Sequence, residues 1–166
     1  MVNTLVIDTS YGSTVGIVGY EPIVETDSHT HVERLQVNIA SVVEKAGLSA
    51  KDINRIVVGV GPAPFTGLRA GIVAAKAIAF ANKSSIIGCD SLLPQSKMVR
   101  CREFDKALKD GRVLKESICK KCDETSSHHY VLSLNDARRK QVYMSLYNEF
   151  GESVIDMDID YPNNIV

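Results

Sequence analysis

The stretch IVVGVGPAPFTGLRAGIVAAKAIAFA, Ile56 to Ala81, decides the fold of this chain. Its first five residues form a nearly pure β-branched run, the pattern of a strand buried on both faces. A turn, Gly61 to Pro64, follows, and then a helix from about Thr66 to Ala81. A strand that leads through a glycine turn into a helix is the working unit of an α/β sheet. The turn has the glycines of a phosphate-binding loop but lacks its cation. Such a loop ends in Gly-Lys-Ser/Thr, so that a lysine meets the outer phosphates. Here the region reads Thr66-Gly67-Leu68-Arg69. The dinucleotide pattern GxGxxG fails too, because Pro62 and Ala63 follow Gly61. A weak pull on anions by the helix N-terminus is all that remains.

The helix carries a second signal. Gly67, Gly71, Ala75 and Ala79 recur every four residues, and Ala70, Ala74 and Ala77 widen the small face. A glycine inside a helix costs about 1 kcal/mol against alanine, so close packing must offset it. Either this face packs on the chain's own sheet or first helix, or it lets a helix of another protein approach closely.

Toward the N-terminus, Asn3–Thr9 is a short apolar strand pattern interrupted by Asp8. Ser10-Tyr11-Gly12 forms a turn, and Ser13–Val18 resumes the pattern, so the two pair as an antiparallel hairpin. Ile23–Thr26 is a third strand, with Pro22 at its start, where a missing N–H is tolerated. Thr30 and Glu33 match a capping box. Val32, Leu35, Ile39, Val42, Val43 and Ala46 follow at helical spacing, and Gly47 stands where a left-handed C-cap is expected. A short helical turn starts at Ser49-Ala50-Lys51-Asp52, and Ser85–Cys89 is one more strand. The resulting order, βββαβαβ, is that of a ribonuclease-H-like half, the building block of the actin, Hsp70 and sugar-kinase superfamily.

Residues 1–92 are thus read as a ribonuclease-H-like domain, 93–127 as a charged insertion or linker, and 128–166 as part of a second α/β domain. Lys97 to Glu124 holds nine Lys or Arg against six Asp or Glu, and three of the four cysteines. Beyond it, Tyr130–Leu134 and Gln141–Tyr147 are strands joined by Asn135 to Lys140, and a last strand runs through Ile155–Ile159. The second domain is expected to be incomplete within these 166 residues.

Composition bounds the function. A net charge of −1 gives no global pull toward nucleic acid or membrane, and the absence of Trp argues against a stacking platform for RNA. The N-terminus has no basic region and no long apolar core, so it is not a signal peptide. The chain is expected in the cytoplasm, with its cysteines reduced.

Three local constellations each have a functional and a plain reading. Asp8, Thr9 and Ser10 at the end of the first strand form either a residual nucleotide- or anion-binding site, or a turn in which Asp8 caps nearby N–H groups. Cys119 and Cys122, with Cys101, His128 and His129 nearby, have the spacing of half a zinc site, but a second clean pair is missing. The plain reading is a solvated insertion with incidental thiols, and no metal is expected there or at His29 and His31. Arg138, Arg139 and Lys140 form a basic hairpin tip, a solvated end that makes at most a salt-sensitive contact with RNA.

Four ordered motifs together resemble the TsaB (YeaZ) family, the non-catalytic partner in bacterial tRNA threonylcarbamoyladenosine synthesis. They are Leu5–Ser10, His31–Leu35, Gly61–Gly71 and Asp136–Tyr143. The family usually has Gly-Ser where this chain has Ala63-Pro64, and its members continue through a complete second domain. Pro64 removes an N–H and restricts Ala63, which weakens an anion nest at this turn. The resemblance implies a scaffold and activator without catalytic residues or cofactor of its own. It would pair with a TsaD-like catalytic subunit, joined by a TsaE-like ATPase, for threonylcarbamoylation of the tRNA adenosine next to the anticodon. The implied contact is a bundle of the two N-terminal helices of each partner, here about 30–46 and 66–81. That assigns Val32, Leu35, Ile39, Gly67, Gly71, Ala74 and Ala75 to the interface. Self-pairing through the same helices and indirect contact with tRNA are implied as well. The rival expectations are an ATPase or small phosphotransferase of the same superfamily, with weak ATP or ADP binding, and a family fragment without function.

Overall fold

The computed structural model describes residues 2–26, 31–100 and 130–165. These fall into two compact units, Met1–Ser91 and Leu92–Val166.

In the first unit, strands β1 (Thr4–Asp8), β2 (Ser13–Ile17) and β3 (Ile23–Glu25) form an antiparallel meander. Helix α1 (His31–Lys45) leads through a 3-10 turn at Ala50–Asp52 to β4 (Arg55–Gly59). Helix α2 (Phe65–Asn82) then leads to β5 (Ser85–Cys89). The sheet order is β3-β2-β1-β4-β5, with β1 parallel to β4 and β4 parallel to β5. The order βββαβαβ expected from the sequence is the one observed. The glycine turn therefore starts a crossover helix between two parallel strands.

Register explains which face is buried. Leu5 lies beside Ile56 and Ile17, and Ile7 beside Val58 and Val15. All six are buried, and they meet Leu35, Val42, Val43 and Ala46 of α1 and Ala75 and Ala79 of α2 in one core. Burying a side chain of this size contributes about 1.5–3 kcal/mol, so these few rows hold the unit together.

The two helices end alike. After α1, Gly47 has φ +68°, and the Leu48 N–H donates back to the Val43 carbonyl at 3.1 Å. After α2, Lys83 takes the same left-handed conformation at φ +55°, and the Ser84 N–H donates to the Ala79 carbonyl at 3.0 Å. Both are Schellman-type ends, one with the expected glycine and one with a lysine. The expected cap at Thr30 and the pair His29 and His31 lie outside what is described of this region.

In the second unit, helix α3 (Leu93–Arg100) precedes β6 (Val131–Arg138), β7 (Gln141–Tyr147) and β8 (Ser153–Asp160), an antiparallel meander in chain order. One boundary differs from the sequence reading. Asn135 to Arg138 continue the strand, and the turn narrows to Arg139 and Lys140. Turn-forming residue types mislead here because an irregularity between Asp136 and Arg138 absorbs the extra residue. Cys101, Cys119, Cys122, His128 and His129 lie outside the described residues.

Candidate functional site

Two places carry functional expectations, the strand ends and the helical face.

At the carboxyl end of β1, Asp8 Oδ1 accepts the Ser10 N–H at 2.7 Å. This is the Asx turn that the plain reading anticipated. The Ser10 hydroxyl meets the Ser91 hydroxyl at 2.7 Å in a buried contact. A β-carbon on Gly59 would lie 2.5 Å from Asp8 Oδ2 and 2.9 Å from Ser91 Oγ. Gly59 thus makes room for a small polar cluster of Asp8, Ser10 and Ser91. Thr9 does not join it. Its side chain is buried, its hydroxyl has no hydrogen-bond partner among the described residues, and it faces the backbone of α2 at Gly71. The nearby Cys89 thiol is pushed up from its ordinary pKa, first by burial and then by the charges of Asp90 and Asp8. It is held in the neutral form, so it is poorly suited to act as a nucleophile. Among the described residues no group of three His, Cys, Asp or Glu side chains is placed to hold a metal.

The glycine turn aims α2. Gly61 has φ +97°, which favours glycine, and a β-carbon there would press on Leu68 at 3.2 Å. Pro64 stands at the N-cap and offers no side-chain cap. Its carbonyl accepts the Leu68 N–H at 3.2 Å.

The helix it launches corrects the expected use of its small residues. Gly67, Gly71, Ala75 and Ala79 are the buried residues of α2, turned into the chain's own unit. Leu35 is likewise a core residue, only 2% exposed. Close approach is needed, but to the chain's own β1 and β4. A β-carbon on Gly71 would overlap the Thr9 side chain. Of the residues assigned to an interface, Val32, Ile39 and Ala74 keep partial exposure. The outer face of α2 instead carries large apolar groups: Phe65 at 71% exposure, Val73 at 62% and Phe80 at 89%. The Arg69 guanidinium stacks over the Phe65 ring at 4.9 Å. On a different flank of α2, an apolar crevice of about 320 Å³ opens toward α1, lined by Ile39, Ala40, Val43, Leu48, Ile53 and Ile78 among others. Sequence reading missed the exposed aromatics because it followed the small residues. The signal was present in the offset between Phe65, Val73 and Phe80 and the four-residue stripe.

A β3-β2-β1-β4-β5 sheet with crossover helices α1 and α2 defines a ribonuclease-H-like protein of the actin-like class. Comparison with known proteins then places it more narrowly. The family model for TsaD, tRNA N6-adenosine threonylcarbamoyltransferase, matches residues 17–107, more than half of the chain, and the chain belongs to this family. An uncharacterized Mycobacterium tuberculosis protein is 39% identical over 95 residues, 53% of this chain and 45% of that protein. The Escherichia coli tRNA threonylcarbamoyladenosine biosynthesis protein TsaB is 31% identical over 67 residues, 40% of this chain and 29% of that protein. YeaZ from Pseudomonas aeruginosa shares the fold at TM-score 0.70 and 21% identity, across 96% of this chain and 67% of that one. A second Pseudomonas aeruginosa structure, described as similar to peptidase YeaZ, aligns at TM-score 0.74 and 21% identity over 100% of this chain and 69% of that one. The TsaB (YeaZ) resemblance carried by the four motifs thus has a counterpart in both sequence and fold. The chain spans about half the length of the curated relatives it matches. Among the described residues, no helix is long and apolar enough to cross a membrane.

Proposed function

We propose that this chain is a scaffold and activator subunit, without catalysis of its own, in threonylcarbamoylation of the tRNA adenosine next to the anticodon. It pairs with a TsaD-like catalytic subunit through α1 and α2, and a TsaE-like ATPase joins the assembly. The observation that carries this reading is the outer face of α2. Phe65, Val73 and Phe80 are large apolar groups exposed along the outer side of one helix, and exposed apolar surface of this kind marks protein contacts. The E. coli relative is named as a biosynthesis protein of the same modified nucleoside. Val32, Ile39 and Ala74 belong to the contact as its half-buried rim, whereas Gly67, Gly71, Ala75 and Leu35 shape it from beneath. Self-pairing uses the same face when the catalytic subunit is absent.

Co-purification with the TsaD-like subunit tests the pairing. Phe80→Ser is expected to leave the fold intact and weaken pairing at least about tenfold, since buried aromatic anchors at interfaces commonly contribute 2 kcal/mol or more. A folded wild-type chain that does not pair would overturn the proposal. So would ATP turnover by the isolated chain, which belongs to the rival ATPase reading.

A further inference from the structure

The β6–β7 turn is built against backbone preference. Arg138, Arg139 and Lys140 have φ of +63°, +52° and +64°, three consecutive left-handed residues without a glycine among them. Such two-residue hairpin turns favour Asn-Gly or Asp-Gly, because a β-carbon crowds the following carbonyl oxygen in this conformation, glycine has none, and Asn and Asp offset the cost with local hydrogen bonds. Here each position is a long cation instead, and all three are exposed. Among the described residues, none of the three forms an ion pair; the ion pair found there is Arg34–Glu25 in the other unit. Nearby carboxylates are engaged in local hydrogen bonds. Asp136 Oδ1 accepts the Arg138 N–H at 2.8 Å. Asp160, opposite Val142, accepts the Tyr161 N–H at 2.7 Å and the Asn164 side-chain amide at 2.8 Å. Strain kept at an exposed, unpaired basic turn points from the outlier to a function.

We propose that Arg138, Arg139 and Lys140 form a direct contact with the phosphate backbone of the transfer RNA on which the complex acts. The inference rests on the function proposed above, which supplies the RNA, and it extends that function from indirect to direct contact. Arginine's planar fork and lysine's point charge both suit phosphodiester oxygens. A contact confined to phosphate oxygens positions the RNA without selecting its sequence.

The test measures binding of an unmodified transfer RNA transcript by fluorescence anisotropy over a salt series, with this 166-residue chain alone and with the TsaD-like subunit. The informative variant is the double change Arg139→Asn and Lys140→Gly. It removes two cations while supplying the residues this turn prefers, so the hairpin is expected to be more stable, as read by thermal melting. RNA affinity is expected to fall, and the salt slope of log K to drop by about 1 for each cation removed. A second transcript of different sequence should weaken by the same factor. Unchanged affinity and slope would overturn the inference, as would a wild-type chain that binds RNA in neither setting. A variant that loses the TsaD-like subunit but keeps RNA would also overturn it and make the tip a protein contact. Pairing is measured separately by co-purification, so a wild-type chain that pairs normally while the RNA result is negative sinks this inference alone.

Discussion

At the residue scale, the clearest dependence is between Thr9 and Gly71. A β-carbon on Gly71 would overlap the Thr9 hydroxyl and lie 3.3 Å from Thr9 Cβ. Gly71→Ala should therefore destabilise the chain by about 1–3 kcal/mol, the usual cost of overfilling a packed site, despite alanine's better helix propensity. Thr9→Ala removes the hydroxyl and methyl that stand in the way, so the double variant should recover a good part of that loss. A double-mutant cycle by urea unfolding checks this, and additive effects would refute the contact. Asp52 supplies a pH prediction. The Ser49 backbone N–H and then its hydroxyl, each 2.7 Å from Asp52 Oδ2, lower the carboxyl's pKa below its ordinary value. A depressed folded pKa means that this contact contributes stability above the unfolded pKa and loses it as pH falls through the folded one. Ser49→Ala should raise the Asp52 pKa toward its unfolded value in an NMR titration, lower stability slightly above the unfolded pKa, and so make the acid limb of the pH–stability curve shallower. How legible these residues were differed by range. Asp8 as a local cap could be read from neighbouring letters, since its partner is two residues away. Ser91 could not, because the hydroxyl it meets is 81 positions earlier.

At the element scale, the sequence carried what local chemistry determines. β-branched runs became strands, and Gly47 ended α1 because a left-handed residue was needed there. The end of α2 was less legible, because Lys83 adopts the same conformation without being the residue that favours it. Lys83→Gly should raise stability by about 0.5–1 kcal/mol, by relieving a side chain from a conformation glycine tolerates freely. A higher urea midpoint with an unchanged m-value would bear this out, and a lower midpoint would refute it. The stripe on α2 shows why pattern alone was insufficient. Spacing said that close packing was required, but not by whom. The structure places Gly67, Gly71, Ala75 and Ala79 inward, leaving Phe65, Val73 and Phe80 outward. The helix therefore carries small residues within, and large apolar groups interleaved with Arg69 and Lys76 without. An exposed Phe80 should contribute little to folding, so Phe80→Ser is expected to change stability by no more than about 0.5 kcal/mol. A large loss of stability in that variant would make Phe80 a core residue and remove it from the interface.

At the scale of the whole molecule, the two units differ in how much apolar surface they bury. The core of the first draws on β1, β2, β4, α1 and α2 together and includes Leu5, Ile7, Ile56 and Val15, each fully buried. In the second, the buried apolar side chains among the described residues are Leu92 and Tyr147, and its buried strand positions include Ser133 and Ser145. The Ser133 hydroxyl and the Asn135 amide nitrogen are buried without partners, and groups of that kind commonly cost 1–3 kcal/mol each. The continuous β-branched run at Ile56–Val60 pointed to burial on both faces in the first unit, but how little the second unit buries was not readable, because burial depends on what each strand meets. Stability should therefore be uneven along the chain. Amides in β1 and β4, central in their sheet, should exchange with solvent only through unfolding of the first unit. Those in β8, an edge strand exposed at every position but Asp160, should exchange through smaller openings and be the least protected of the strands. Hydrogen exchange on the full chain, followed by NMR or mass spectrometry, measures both at once. Equal protection of β8 and β1 would mean that the second unit is stabilised by more than its own described core. Fast exchange in β1 would mean that the first unit is not the stable platform from which α2 can present Phe65, Val73 and Phe80 to a partner.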